Sequence, residues 1–148
     1  MIGGLDDLYR EVLLDHSKRP RHPGTLDVPP ATFGEGNNPL CGDKVTVYVL
    51  LDGDTVADVR FVGEGCAICT AAASAMTERI KGLSRDDALA LFDRFHDVLT
   101  GQLAPADADL GDLAAFEGVR RFPMRVKCAT LPWHALKQAL GPDHDPGT

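Results

Sequence analysis

The sequence predicts an α+β fold, a small antiparallel β-sheet covered on one face by helices. Three observations carry that prediction. Residues 44–62 have the pattern of a β-hairpin, residues 5–19 that of an amphipathic helix, and the second half is helical stretches separated by glycine and proline. With 148 residues and 44% hydrophobic content, the chain is long enough to bury one real core. One domain over residues 1–140 is expected, followed by a disordered tail over 141–148, where prolines and glycines cluster.

In order along the chain, Leu5, Leu8, Tyr9, Val12 and Leu13 form one apolar stripe at helical spacing. Pro20, Pro23, Pro29 and Pro30 then interrupt regular structure, so a long extended connector should follow. Residues 44–51 alternate, with Val45, Val47 and Val49 on one face. Asp52-Gly53-Asp54 supplies the turn and residues 55–62 the return strand. Gly63 and Gly65 break the pattern before Cys66. Residues 67–81 are rich in alanine, with methionine and glutamate, and Gly82 stops them, which reads as a helix. Ser84 with Asp87 three residues later makes a capping pattern for a helix to about residue 100, with Ala88, Leu91, Phe92 and Phe95 inward. Residues 107–113 read as an acidic loop and 113–119 as a short helix. Pro123 and Pro132 frame residues 124–131 as a loop, and a last helix over 132–140 turns Trp133, Leu136 and Leu140 inward.

Composition excludes several classes of function. A formal net charge of −7 leaves no positive footprint for nucleic acid or a membrane surface. Apolar runs fall far short of the roughly 20 residues of a membrane span. Met1-Ile2-Gly3-Gly4-Leu5-Asp6-Asp7 carries no secretory pattern, so a cytoplasmic location is the expectation. In that reducing setting, the four cysteines are expected as ligands, reactive thiols or small packed side chains, not disulfides.

Position narrows the choice. If the hairpin turn centres on Gly53, paired residue numbers sum to roughly 106. Asp43 then faces the region of Gly63, and Cys41 lies across from the Gly65-Cys66 loop. Cys41 and Asp43, two positions apart, point to one side of an extended stretch. Cys66 precedes a helix, whose unpaired N–H groups favour its thiolate. Cys128 sits before the last helix, where Arg125 and Lys127 would lower its pKa. Each cysteine taken singly is as well explained by packing, and Asp43 by a turn; convergence is what points to a metal or sulfur site. Three thiolates and a carboxylate suit tetrahedral zinc, with Arg125 balancing the anionic centre. Cys66-Ala67-Ile68-Cys69 also matches a redox pair, but no parallel sheet or second such motif accompanies it. Cys69 therefore either borders the site or packs inward, and packing is preferred. His96 and His134 read as surface residues, while His16, His22 and His144 offer no ligand spacing.

Three motifs, Asn38-Pro39-Leu40-Cys41-Gly42-Asp43, Gly63-Glu64-Gly65-Cys66-Ala67-Ile68 and Arg125-Val126-Lys127-Cys128, resemble the U-type scaffold family of iron–sulfur assembly. Leu8-Tyr9-Arg10, Asp15-His16 and Pro20-Arg21 resemble that family's first helix and connector, so the likeness spans roughly residues 5–140. The IscU-like branch has a histidine where Lys127 stands and a Leu-Pro-Pro-Val-Lys segment absent here. Residues 83–118 and the Lys127-Cys128-Ala129-Thr130-Leu131 run are similar to the SufU branch.

That resemblance implies a zinc protein that accepts persulfide sulfur from a SufS-type, pyridoxal-phosphate-dependent cysteine desulfurase, an accessory to that enzyme and not a stand-alone one. It implies Cys41, Asp43, Cys66 and Cys128 as zinc ligands and Cys41 as sulfur acceptor, and other SUF assembly proteins as further partners. Cys69 departs from the family, where a serine or similar small residue is expected. Two alternatives stand beside it: a scaffold that binds iron and builds a [2Fe–2S] cluster on the same cysteines, and a structural zinc module without sulfur transfer.

Overall fold

The chain folds as α1 (Ile2–Lys18), β1 (Thr32–Asn38), β2 (Asp43–Asp52), β3 (Thr55–Glu64), α2 (Ala67–Ile80), α3 (Arg85–Leu99), a 3₁₀ segment (Gly111–Arg121) and α4 (Pro123–Leu140). This computed structural model describes residues 2–28, 30–38, 42–103 and 110–140, with the side chains of all but 2–9, 112, 120 and 121. Cys41, the tail expected over 141–148, the start of the acidic loop expected over 107–113, and the side chains of Leu5, Leu8 and Tyr9 lie outside the described residues.

The strands form one antiparallel sheet in the order β1-β2-β3. β2 and β3 are the expected hairpin, with Val45, Val47, Val49, Val59 and Phe61 buried on the helix side. The register differs from the arithmetic above. Asp52 pairs with Thr55 and Lys44 with Glu64, because the two-residue loop is Gly53–Asp54 and the register shifts between Leu50 and Leu51. Beyond the shift the offset is two residues, so each side chain keeps its face.

The proline-rich connector contains a strand that its composition conceals. β1 presents Gly34 and Gly36 to the helix side, and glycine weakens strand patterning. The reason for glycine is close approach. A Cβ on Gly34 would stand 2.0 Å from the Ala135 carbonyl oxygen, and one on Gly36 3.0 Å from Leu131. α4 thus rests on the backbone of β1, helped by a hydrogen bond from the Glu35 N–H to Gln138 Oε1 at 3.0 Å.

α4 begins at Pro123, not at Pro132 as expected. Pro123 occupies the first helical position, where a missing N–H costs nothing. Pro132 lies inside the helix and has no N–H to return to the Cys128 carbonyl four residues back. Burial holds the helix through it: Ala129, Leu131, Trp133, Ala135 and Leu136 are all in the core. Cys128 therefore belongs to the second turn of a helix, correcting its expected place in a loop.

α3 matches expectation. Ser84 caps it, its Oγ accepting the Asp87 N–H at 3.0 Å, and Ala88, Leu91, Phe92 and Phe95 are buried. Trp133 stacks on Phe92 with centroids 5.4 Å apart, and Phe95 meets Phe116 edge-on at 5.8 Å. The short helix expected over 113–119 is the longer 3₁₀ segment, with Leu113, Phe116 and Val119 inward. His16 is buried at the end of α1, with Nδ1 2.6 Å from Ser74 Oγ, which also accepts the Arg21 N–H at 2.8 Å. That polar clasp fastens α1 and the connector to α2. Among the described residues, no helix is long and apolar enough to cross a membrane.

Candidate metal centre

Asp43 opens β2 with its side chain fully buried. Its Oδ1 accepts the Cys66 backbone N–H at 2.9 Å. Its Oδ2 accepts the Cys128 thiol at 2.9 Å and lies 3.8 Å from Cys66 Sγ. One carboxylate is thus the meeting point of two thiols from different helices. Ligand atoms of Asp43, Cys66 and Cys128 all lie within 4.8 Å of one another.

The sequence builds this locally. The register shift in the hairpin sets Asp43 just beyond the Lys44–Glu64 pair, at the level of Gly65, not opposite Gly63 as the simple sum had it. A Cβ on Gly65 would stand 2.9 Å from Asp43 Oδ1 and 3.4 Å from Cys69 Cβ, so glycine lets the turn ride on the carboxylate. Cys66 then caps α2 with extended backbone, its Sγ receiving the Cys69 N–H at 3.4 Å. Cys128 reaches Asp43 Oδ2 from within α4, whose position β1 dictates.

Cys66 is exposed, while Cys69 and Cys128 are buried. Burial pushes the Cys69 thiol up to about 12, with Asp43 and Cys66 adding to the shift. Burial also pushes Cys128 upward, reinforced by its hydrogen bonds to Asp43 and Cys66. This overturns the expectation that Arg125 and Lys127 lower it. Both are exposed. The Arg125 guanidinium lies 4.9 Å over the Phe122 ring. Lys127 lines a separate cleft with Asn37, Asn38, Thr130, Leu131 and His134.

The donor set fits a borderline divalent cation. A cation displacing the two thiol protons would be held by one carboxylate oxygen and two sulfurs. An open cleft of about 430 Å³, lined by Cys66, Ala67, Ile68, Met124, Arg125 and Cys128, gives access from solvent.

Of the four expected ligands, Asp43, Cys66 and Cys128 come together, and Cys41 lies outside the described residues. Cys69 packs into the core behind Cys66. His96 and His134 are exposed, each edge-on to Phe92, and neither joins the group. Sequence reasoning did not single out Ile68 and Met124 at the cleft mouth. Their signal is an apolar side chain in the first turn of each helix, hidden at Met124 because the flanking prolines predict a loop there.

The NifU-like N-terminal domain family matches residues 8–129. A Streptococcus pyogenes protein named iron–sulfur cluster assembly scaffold protein IscU is 46% identical over 94% of this chain and 86% of its own. A Bacillus subtilis protein named zinc-dependent sulfurtransferase SufU is 46% identical over 92% of this chain and 91% of its own. A Fervidobacterium islandicum crystal structure, described as a scaffold protein of the SUF system, superposes with a TM-score of 0.81 at 39% identity, covering 88% of this chain and 94% of that one. A matched span that takes in all three cysteine motifs, and relatives aligned over nearly their whole length, assign the chain to the NifU-like N-terminal domain family, alongside proteins named IscU and SufU.

Proposed function

We propose that this chain is a zinc-holding sulfur acceptor for iron–sulfur cluster assembly, taking persulfide sulfur from a SufS-type cysteine desulfurase as an accessory to that enzyme. One observation carries the proposal: the buried Asp43 carboxylate shared by the thiols of Cys66 and Cys128 at 3.8 and 2.9 Å. Cys41, two residues before Asp43, is proposed as the fourth ligand and the acceptor. When bound, zinc would hold the thiols as thiolates and shield them from oxidation.

The chain's own groups do the rest. Asp43 Oδ1 ties down the Cys66 turn, and Oδ2 orients Cys128. Ala67, Ile68 and Met124 give the cleft an apolar lip on which a partner can exclude water. The acceptor thiolate attacks the terminal sulfur of the desulfurase persulfide. A new S–S bond forms on this chain, the partner's S–S bond breaks, and the partner cysteine leaves as thiolate. Lys127, in place of the histidine of the IscU-like branch, favours sulfur relay over cluster building. The near-equal likeness to proteins named for each role keeps the [2Fe–2S] scaffold as the second reading. The relay role goes with a cytoplasmic setting and further SUF proteins downstream.

The test combines zinc content with persulfide mapping after incubation with desulfurase and cysteine. The proposal expects one zinc per chain, sulfur added to Cys41, and loss of desulfurase stimulation in Cys41→Ala. Stimulation that survives Cys41→Ala removes the acceptor role. A stable brown cluster that passes to an apo-acceptor, on protein purified without oxygen, would favour the scaffold. Zinc with no added sulfur on any thiol would leave a structural module.

A further inference from the structure

The first turn of α2 pairs Cys66, a ligand in the zinc-gated relay, with a second thiol, Cys69, that the relay does not use. Cys66 is the N-cap, and Cys69, three residues on, donates its backbone N–H to Cys66 Sγ at 3.4 Å. At that helical spacing the two Cα atoms stand about 5 Å apart, inside the roughly 4.4–6.8 Å that a disulfide spans. Cys66 is exposed at the mouth of the cleft, whereas Cys69 is 3% exposed. Cys69 lies directly beneath the Gly65-Cys66 turn, where a Cβ on Gly65 would stand 3.4 Å from its Cβ. An exposed thiol with a covered one a single turn behind suits a two-step exchange: the outer sulfur meets the reactant and the inner one resolves it. The antiparallel sheet sets this apart from a parallel-sheet redox fold, so the arrangement belongs to the helix terminus alone.

We propose that Cys66 and Cys69 convert a persulfide on Cys66 into free sulfide by closing a disulfide between them. Cys69 Sγ attacks Cys66 Sγ. The Cys69–Cys66 bond forms, the bond from Cys66 Sγ to the outer sulfur breaks, and the outer sulfur leaves as hydrogen sulfide carrying its own proton and that of the Cys69 thiol. The outer sulfur is reduced by the two electrons that the new disulfide gives up, so no other oxidant or reductant enters. A dithiol reductant then reopens the pair by ordinary exchange. The inference rests on the sulfur-acceptor reading only in that persulfide sulfur must reach Cys66. It goes beyond that reading in what the chain delivers, sulfide in place of bound persulfide. A Cys66 that ligates metal is unavailable for this step, so metal occupancy and sulfide release should exclude each other.

The experiment loads chelator-treated, metal-free full-length protein with sodium tetrasulfide, desalts it without oxygen, and follows sulfide release and cysteine pairing by peptide mass mapping. Wild type is expected to release sulfide in step with a Cys66–Cys69 disulfide. In Cys69→Ser the persulfide should persist and release fall by about tenfold or more. Cys69→Ala serves as a second variant, with circular dichroism reporting the fold of both, and the wild-type mapping stands without either. Equal release from wild type and variants, or a disulfide that joins other cysteines, overturns the inference. Zinc-loaded wild type that releases sulfide as fast as the metal-free protein overturns the exclusion. A parallel arm replaces tetrasulfide with desulfurase and cysteine. No persulfide there, with release intact in the tetrasulfide arm, would refute the acceptor reading and leave this chemistry standing.

Discussion

α2 and α4 each deliver one thiol to Asp43, and they do so in opposite ways. α2 offers Cys66 from its exposed cap, fixed by a turn that touches Asp43 on both sides. α4 offers Cys128 from inside its second turn, buried, with an interior proline four residues on. The first placement is local: a glycine, a cap and a neighbouring strand end suffice. The second is global, since Cys128 reaches the carboxylate only because α4 lies on the glycines of β1. An exposed sulfur is available for exchange, and a buried one anchors. The centre thus joins a reactive side to a structural side through one carboxylate.

The comparison breaks most completely at Asp43. Asp43→Ala removes the shared partner, and zinc affinity should fall beyond the roughly 10–100-fold typical of losing an outer-shell group, read by chelator competition. Asp43→Asn keeps an oxygen for the Cys66 N–H, so it should hold the turn while weakening zinc. Gly34→Val comes next. It forces a side chain into the Ala135 carbonyl and should cost about 1–3 kcal/mol or more in denaturant unfolding. In that variant, alkylation of Cys128 should rise while that of Cys66 stays unchanged, because only α4 is displaced.

Thiol labelling sharpens the same contrast in metal-free wild type. Of the three described cysteines, Cys66 should react first, with Cys69 and Cys128 slower by about tenfold or more, because both are covered and hold their protons more tightly. Comparable rates for all three would dissolve the distinction between the two helices.

The smallest effect is on acid stability. His22, whose Nδ1 lies 3.4 Å from Thr77 Oγ1 of α2, has its pKa lowered by burial and then by Lys81 and Arg60. His134 on α4, though exposed, has its ring partly desolvated against Phe92, which lowers its pKa, as do Lys137 and His96. A lowered histidine pKa means that the folded state takes up its proton less readily than the unfolded chain. The stability it contributes is present above the ordinary value of 6.5 and is lost as pH falls through it. Melting temperature should decline from pH 7.5 toward 5.5, and His22→Gln or His134→Gln should each flatten part of that slope. A slope unchanged in both variants would assign the acid response elsewhere.

Most of the fold was legible from local pattern. The valines of β2, the Ser84 cap and the apolar face of α3 each declare themselves within a few residues, because the physics that produces them is short-range. β1 and the first half of α4 were not legible, for one shared reason. Gly34 and Gly36 look like loop until a helix lies on them, and Pro132 looks like a helix start until burial holds the helix through it. Where packing overrides propensity, sequence pattern misleads. The site divides along the same line. Asp43 and Cys66 follow from hairpin register, with a two-residue offset to which the Gly53–Asp54 loop and the irregularity at Leu50/Leu51 each contribute one. The geometry and protonation of Cys128 did not follow, because they are set by burial within α4 and by Asp43 and Cys66, which are distant in sequence, and not by its charged sequence neighbours.

By itself the sequence determined the α+β class, the hairpin, the Ser84 cap of α3, and the motifs that mark the family. Each depends on contacts among residues close along the chain or on the identities of the residues. Only the tertiary structure decided that α4 runs unbroken from Pro123 to Leu140, that Cys128 is buried against Asp43, and that Cys69 sits covered behind an exposed Cys66. Those outcomes depend on burial and on the close approach of a helix to two glycines more than ninety residues earlier in the chain, a long-range fit that no local window contains.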